Sequence, residues 1–171
     1  MPELPNGWVW ASSEMLAEGG WGGIVIGPFG SNLKVSNYTA SGVPLVFVRH
    51  IRSHDFAGIR PQFISAVKAR ELAAHEAEPG DILITKMGDP PGDAAIYPSG
   101  FPNAVITADC IRWRPTPLMN TSFLEMWVNS FWASLDHEQD PRRGAAENQF
   151  GIISRPSGTR RQPRRATAYR R

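Results

Sequence analysis

Glycine and proline interrupt this sequence along its whole length. The 171 residues include 16 glycines and 15 prolines. Because glycine adds flexibility and proline breaks the hydrogen-bond pattern of a helix, few segments can form long helices. The hydrophobic fraction of 42% is still enough to bury a core. We therefore predict a folded, loop-rich protein of one domain, with or without appendages, rather than a helical bundle.

Short apolar segments between turn residues predict the strands. A Pro-Gly-Asp turn before an apolar run indicates a buried strand at 82–85. Segment 41–51 begins with a turn and continues as a strand in which Val46 and Val48 alternate with bulkier side chains. The other expected strands are 23–26, 93–98 and 104–114.

Capping residues and helical spacing predict the helices. We expect a helical turn that begins near residue 12 and ends at residue 18, a helix at 65–76 and another at 121–138. The predicted caps are Ser12 or Ser13, Ser65, and Thr121 or Ser122. The predicted apolar faces are Val67, Leu72 and Ala73 in the second helix and Phe123, Met126, Trp127, Phe131 and Leu135 in the third.

Strands and helices follow one another without a regular βαβ alternation, which favours an α+β fold. We predict a single domain over residues 1–153, with a small mixed sheet and flanking helices. Residues 154–171 are rich in arginine and lack apolar periodicity, so we predict a disordered tail there.

The net charge of +2 hides an uneven distribution. Seven of the 18 lysines and arginines lie in segment 155–171, which has no acidic residue. The remaining 11 lysines and arginines lie in residues 1–154 together with all 16 acidic residues, so the body of the chain is acidic. The overall basicity therefore does not by itself predict nucleic-acid binding by the body.

The segment "IVIGPFGSNLK" at 24–34 resembles a phosphate-binding loop, because two glycines precede a lysine. A nucleotide loop of this kind needs Gly-Lys followed directly by serine or threonine, and here three residues separate Gly30 from Lys34. The dinucleotide pattern of three glycines is absent too. We predict instead a tight turn, in which the glycines supply positive φ and Pro28 stiffens the approach.

The sequence offers little for metal binding. The single cysteine, Cys110, excludes an internal disulfide and any zinc site that needs several cysteines. His50 and His54 are four residues apart, but they flank the predicted end of a strand, so we do not expect them to bind a metal as a helical pair. No metal site is predicted.

Catalysis has an equally weak basis. The only nucleophile worth considering is Cys110, with Asp109 beside it. Neighbouring residues of a strand point to opposite faces, and small cysteines in apolar runs are usually structural. We predict no catalytic residue and no cofactor.

The beginning of the chain has no basic start followed by an apolar run, and no apolar stretch reaches the roughly 20 residues of a membrane span. One cysteine is compatible with a reducing compartment. We expect a cytoplasmic protein that does not contact a membrane.

Several motifs together resemble one family. In order, they are "LPNGWVW" (4–10), "GPFGSNLK" (27–34), "NYTASGVPLVFVRHI" (37–51), "ISAVKARELAAHEAEPGDILITKMGD" (64–89), "AAIYP" (94–98) and "VITADCIRWRP" (105–115). This series is similar to a target recognition domain of the DNA specificity subunit of type I restriction–modification systems, and the likeness covers roughly residues 4–150.

The resemblance implies sequence-specific binding of double-stranded DNA, with no catalysis by this chain. It implies partners as well: methyltransferase subunits that modify adenine with S-adenosylmethionine, and a restriction subunit that uses ATP and magnesium. In the family, two such domains, each followed by a long spacer helix, hold a split target sequence. This chain would act as the specificity subunit or as half of one.

Base edges are recognised by arginine, lysine, asparagine and glutamine, whereas basic and small polar groups bind phosphates. Residues of this type lie in the predicted loops and strand ends. The candidate DNA-binding residues are Ser31, Asn32, Lys34, Arg49, His50, Arg52, Lys86 and Asn103.

The sequence departs from the family after Gly151, where a proline-rich segment and a spacer helix are expected. One hypothesis is a truncated or frame-shifted remnant that acts at most as a protein-interaction module. A second is a functional basic tail that grasps DNA. A hydrolase based on cysteine or histidine is a distant third alternative.

Overall fold

A computed structural model describes residues 6–88, 90–130 and the backbone of 153–154. The helices are α1 (Ser13–Leu16), α2 (Val48–Ser53), α3 (Ala66–Glu71) and α4 (Thr121–Val128). The strands are β1 (Trp8–Val9), β2 (Ile24–Ile26), β3 (Tyr38–Thr39), β4 (Val43–Val46), β5 (Gln62–Ile64), β6 (Glu76–Ala77), β7 (Ile82–Thr85), β8 (Ala94–Ile96), β9 (Ala104–Ile106), β10 (Cys110–Trp113) and β11 (Ile153–Ser154).

The strands form two main sheets. The four-stranded sheet has the order β2-β10-β7-β8 and is antiparallel throughout. The five-stranded sheet has the order β3-β5-β4-β9-β6 and is mixed, because β4 and β9 run parallel. With helices packed around them, these sheets confirm the predicted α+β fold. A short antiparallel pair, β1 with β11, adds a third small sheet.

The turn at 107–109 joins the two main sheets. The prediction of one strand at 104–114 was wrong, because this segment forms β9 in one sheet and β10 in the other. Thr107 ends β9 by donating its backbone N–H to the carbonyl oxygen of Val46 at 3.0 Å. Its hydroxyl group bonds the same oxygen at 2.9 Å. The chain then turns, and Cys110 starts the next strand.

Strand β7 shows why its apolar run is uninterrupted. Ile82 and Ile84 belong to a first core cluster, which the four-stranded sheet shares with α1 and α4. Leu83, on the opposite face, belongs to a second cluster with Val46 and Ile106 of the other sheet. Because both faces of β7 pack against protein, every one of its residues is buried. A third cluster covers the outer face of the five-stranded sheet.

The predicted caps are confirmed for the first two helices. Ser12 accepts a hydrogen bond from the N–H of Met15 at 3.3 Å, and Ser65 accepts one from the N–H of Lys68 at 3.1 Å. Helix α3 is shorter than predicted, since the backbone tightens into a 3₁₀ turn at Ala73–His75 before β6. Val67 and Ala73 of its predicted apolar face are exposed, and only Leu72 is buried.

The N-cap of α4 lies one residue before the predicted capping residues. Asn120, rather than Thr121 or Ser122, accepts the N–H of Phe123 at 2.9 Å. The buried face is Leu124 and Val128, whereas Met126 of the predicted face is 63% exposed. Residues 131–138 of the predicted helix, with Phe131 and Leu135, lie outside the described residues. The predicted tail at 154–171 does too, apart from the backbone of Ser154.

Candidate nucleic-acid interface

Five strand ends meet at one edge of the two sheets. Register pairs Ile26 with Ile111 and Thr85 with Cys110, so β2 and β7 both end where β10 begins. In the other sheet Val46 is paired with Ile106, so the parallel strands β4 and β9 end at the same edge. We call the loops at this edge the loop end. It comprises the described residues 27–32, 47–52, 86–88, 90–93 and 107–109.

The glycine-rich loop is anchored where it leaves β2. The N–H of Gly27 donates to the carbonyl oxygen of Cys110 at 2.9 Å, and Pro28 is fully buried. A Cβ atom at Gly27 would overlap the carbonyl group of Thr107. The backbone is therefore too close to the 107–109 turn for any side chain at Gly27.

The prediction that positive φ explains these glycines was wrong. Neither Gly27 nor Gly30 has positive φ, and a Cβ at Gly30 would meet nothing within 4 Å. Beyond Gly30 the side chains of Ser31, Asn32 and Lys34 are exposed, as a surface contact requires. The chain then crosses the outer face of the five-stranded sheet, where Leu33 packs into the third cluster.

The predicted strand at 41–51 ends at Val46, and α2 follows directly. The helix begins there because the N–H of Phe47 donates to Nδ1 of His50 at 2.9 Å, which closes the first turn. His50 is only 4% exposed, and its ring stacks on Phe56 with an interplanar angle of 13°. Burial lowers the pKa of His50, and the charge of Arg49 lowers it further, so the ring is neutral and can accept.

His50 is therefore not available at the surface, in contrast to the prediction that it contacts DNA. Its neighbour Arg49 is exposed, and the guanidinium carbon lies 4.2 Å from the centre of the Phe47 ring. This cation–π contact holds the side chain over an aromatic face without neutralising its charge.

Arg52 and Lys86 both belong to the loop end, but they differ in their hydrogen-bond and ion-pair partners. The Nε atom of Arg52 donates to the carboxylate of Asp93 at 2.8 Å, and a terminal nitrogen bonds the carbonyl oxygen of Pro90. Arg52 thus braces the loop between β7 and β8. The Nζ atom of Lys86 lies 3.5 Å from the carbonyl oxygen of Ala108, and within the described residues it has no carboxylate partner.

Asn103 is placed apart from the other candidates. It precedes β9, whereas the loop end contains Thr107, which follows β9. A further cation at this edge was missed: Arg60 is exposed and stands just before β5, whose first residue Gln62 pairs with Leu45 near the end of β4. Sequence spacing could not reveal it, because the β4–β5 pairing brings it there.

The opposite edge of the four-stranded sheet has a different charge pattern. Arg114 follows β10 and binds Asp81 through two hydrogen bonds of 2.8 and 2.9 Å. The same guanidinium lies 3.0 Å from the carboxylate of Glu78. Both carboxylates pair with the Arg114 guanidinium, and they raise its pKa. Among the described residues, Lys34, Arg49 and Lys86 have no such partner.

The described residues hold no cluster of three or more histidine, cysteine or acidic side chains that could hold a metal ion. Burial raises the pKa of the Cys110 thiol to about 11, so the thiol is protonated at neutral pH. In the part of the chain described here, no helix has the length and apolar character needed to cross a bilayer.

Comparison with known proteins gives a structural likeness only. No family model matches the chain, and no curated protein matches it. One solved chain, from work on complex assembly and conformational transition of the type I R-M system, superposes with a TM-score of 0.62 at 20% identity. The alignment covers 91% of this chain and 36% of that one.

The HsdS subunit from Thermoanaerobacter tengcongensis superposes with a TM-score of 0.59 at 19% identity. The alignment covers 91% of this chain and 35% of the subunit. The fold is that of part of an HsdS subunit. This chain thus spans about a third of the length of either neighbour, and the likeness agrees with the resemblance that the sequence motifs indicated.

Proposed function

We propose that this chain is a DNA-recognition domain that binds double-stranded DNA sequence-specifically, as the specificity subunit of a type I restriction–modification system or as half of one. The observation that carries this proposal is the grouping of polar and cationic side chains at and beside the loop end of an HsdS-like fold, all of them exposed except the half-buried Lys86. The proposed contacts are Ser31, Asn32, Lys34, Arg49 and Lys86, with Arg60 added.

Cations without a carboxylate partner among the described residues are available at this surface, beside the exposed Asp109 of the 107–109 turn. Duplex binding gains free energy when cationic side chains replace the counterions on phosphates. Lys34, Arg49 and Lys86 have no carboxylate partner within the described residues, so their charges are free to act on a phosphate backbone. Arg114 at the opposite edge is held by Asp81 and Glu78, and cannot.

The polar side chains of the glycine-rich loop suit base or phosphate recognition. An asparagine amide can bond an adenine edge through two hydrogen bonds, and a serine hydroxyl serves bases or phosphates. Asn32 and Ser31 are exposed on a turn whose entry is fixed by Gly27 and Pro28. Fixed presentation reduces the entropy lost on binding.

The body of the chain is acidic, so we expect weak DNA binding by this chain alone. In the proposed complex, methyltransferase subunits supply further basic surface and, with S-adenosylmethionine, the modification chemistry. A restriction subunit that uses ATP and magnesium joins through the complex. This assembly would function in the cytoplasm, where the DNA is.

The alternative is a protein-interaction module that no longer binds DNA. A gel-shift assay with random-sequence duplexes separates the two, using the full chain and a variant without residues 155–171. The proposal predicts salt-sensitive shifts with both proteins, strengthened by methyltransferase subunits. If neither protein shifts DNA even with those subunits added, the proposal is wrong and the alternative stands.

A further inference from the structure

The loop end carries apolar surface as well as charge. Phe29, at the tip of the glycine-rich loop, is 82% exposed. Met87, in the loop between β7 and β8, is also exposed, as is Ile26 at the end of β2. Because β2 and β7 lie on either side of β10, Phe29 and Met87 flank the 107–109 turn. Exposed apolar groups concentrated in one place usually mark a binding surface.

Phe29 is held out in the solvent by its neighbours. The residue before it, Pro28, is fully buried, and this burial fixes the backbone on the N-terminal side of Phe29. The carbonyl oxygen of Phe29 accepts the N–H of Asn32 at 2.8 Å, which closes a tight turn around Gly30. Leu33 then anchors the far side of the turn in the third core cluster. The ring is thus presented on a fixed turn rather than on a free loop.

We propose that Phe29 is an apolar wedge that packs against the bases of the bound duplex. This inference rests on the proposed function. DNA-binding proteins insert phenylalanine, leucine or methionine between base steps, and surrounding cations and polar groups hold the phosphates on either side. Phe29 has that setting, since Ser31 and Asn32 follow it on the same turn and Lys86 lies across the 107–109 turn.

Cations at the loop end suit DNA as the occupant of this surface. Arg49 and Lys86 belong to the same loop end as Phe29 and have no carboxylate partner among the described residues, although the 107–109 turn also carries the exposed Asp109. Leu118, by contrast, is 95% exposed but follows Arg114, whose charge is bound by Asp81. A nucleic acid offers phosphates to Arg49 and Lys86 and apolar base faces to Phe29.

Fluorescence anisotropy with a labelled duplex pool of randomised sequence tests the wedge. The variants are Phe29→Ser, Phe29→Leu and the matched control Leu118→Ser, each checked by thermal unfolding. We expect Phe29→Ser to weaken binding about tenfold, Phe29→Leu to retain most of the affinity, and the control to match the parent. The dependence of affinity on salt should be the same for all of them, because no charge is removed.

The outcomes separate this inference from the proposed function. If the parent binds with salt dependence and Phe29→Ser binds equally well, the wedge is wrong and the proposed function survives. If Phe29→Ser binds DNA normally but no longer copurifies with methyltransferase subunits, Phe29 contacts protein and the wedge is also overturned. If the parent itself binds no duplex under any condition, both ideas fail.

Discussion

The backbone N–H of Phe47 donates a hydrogen bond to Nδ1 of His50 at 2.9 Å. This bond replaces the side-chain cap that a serine or aspartate usually provides. It also turns the chain at the end of β4, where Arg49 is exposed over the Phe47 ring. One buried imidazole thus links the core to the proposed DNA surface.

Replacing His50 by glutamine tests this link through the pH dependence of stability. The pKa of His50 is lowered in the native state, so its stabilising effect is full above the unfolded value of 6.5 and is lost as pH falls through the native value. We expect His50→Gln to cost about 1–3 kcal/mol near pH 8, because a glutamine can still accept the N–H of Phe47 but loses the buried ring that stacks on Phe56.

The same variant should lose less stability than the parent between about pH 8 and pH 5. Urea unfolding at several pH values measures both effects. His54→Asn, a change at the exposed end of α2 that suits its positive φ of 53°, controls for loss of an imidazole. Parallel pH profiles for the parent and His50→Gln would contradict the account.

The two glycines of the loop should differ sharply. A Cβ at Gly27 overlaps the Thr107 carbonyl group, so we expect Gly27→Ala to destabilise the protein by about 1–3 kcal/mol. Gly30 has free space and ordinary φ, so Gly30→Ala should be neutral or slightly stabilising, because alanine restricts the unfolded chain. Chemical denaturation of both variants decides this, and equal losses would refute the packing argument.

The sequence predicted the parts of the fold that depend on local pattern. Strand β7 was found at its observed bounds, because an apolar run after a Pro-Gly turn needs no other information. The ends of β4 and β9 were missed, because they depend on distant partners. His50 ends the first by capping α2, and Val46 ends the second by binding Thr107.

The candidate site was predictable in composition but not in arrangement. Side-chain chemistry pointed to Lys34, Arg49 and Lys86. Only the parallel pairing of β4 with β9 shows that Asn103 lies at the other edge. The missed cation, Arg60, depends on the pairing of β4 with β5 in the same way. Non-local strand pairing is what a local pattern cannot supply.

The unpaired cations should act on phosphates. Lys86→Ala and Arg49→Ala are each expected to weaken binding to random duplexes and to reduce the salt slope by roughly one unit. Asn103→Ala, at the opposite edge, should leave affinity and slope unchanged. Anisotropy titrations at several salt concentrations provide the measurement. An unaltered slope in both lysine and arginine variants would show that DNA binds elsewhere.

The most direct test is selection of bound duplexes from a randomised library by the purified chain, with methyltransferase subunits present. The account predicts that one short base pattern is enriched, and that replacing Ser31 and Asn32 by alanine weakens or alters this pattern. The same replacements should leave thermal stability unchanged, because both side chains are exposed. Retained duplexes without any enriched pattern, or no retained duplex at all, would contradict sequence-specific recognition by this chain.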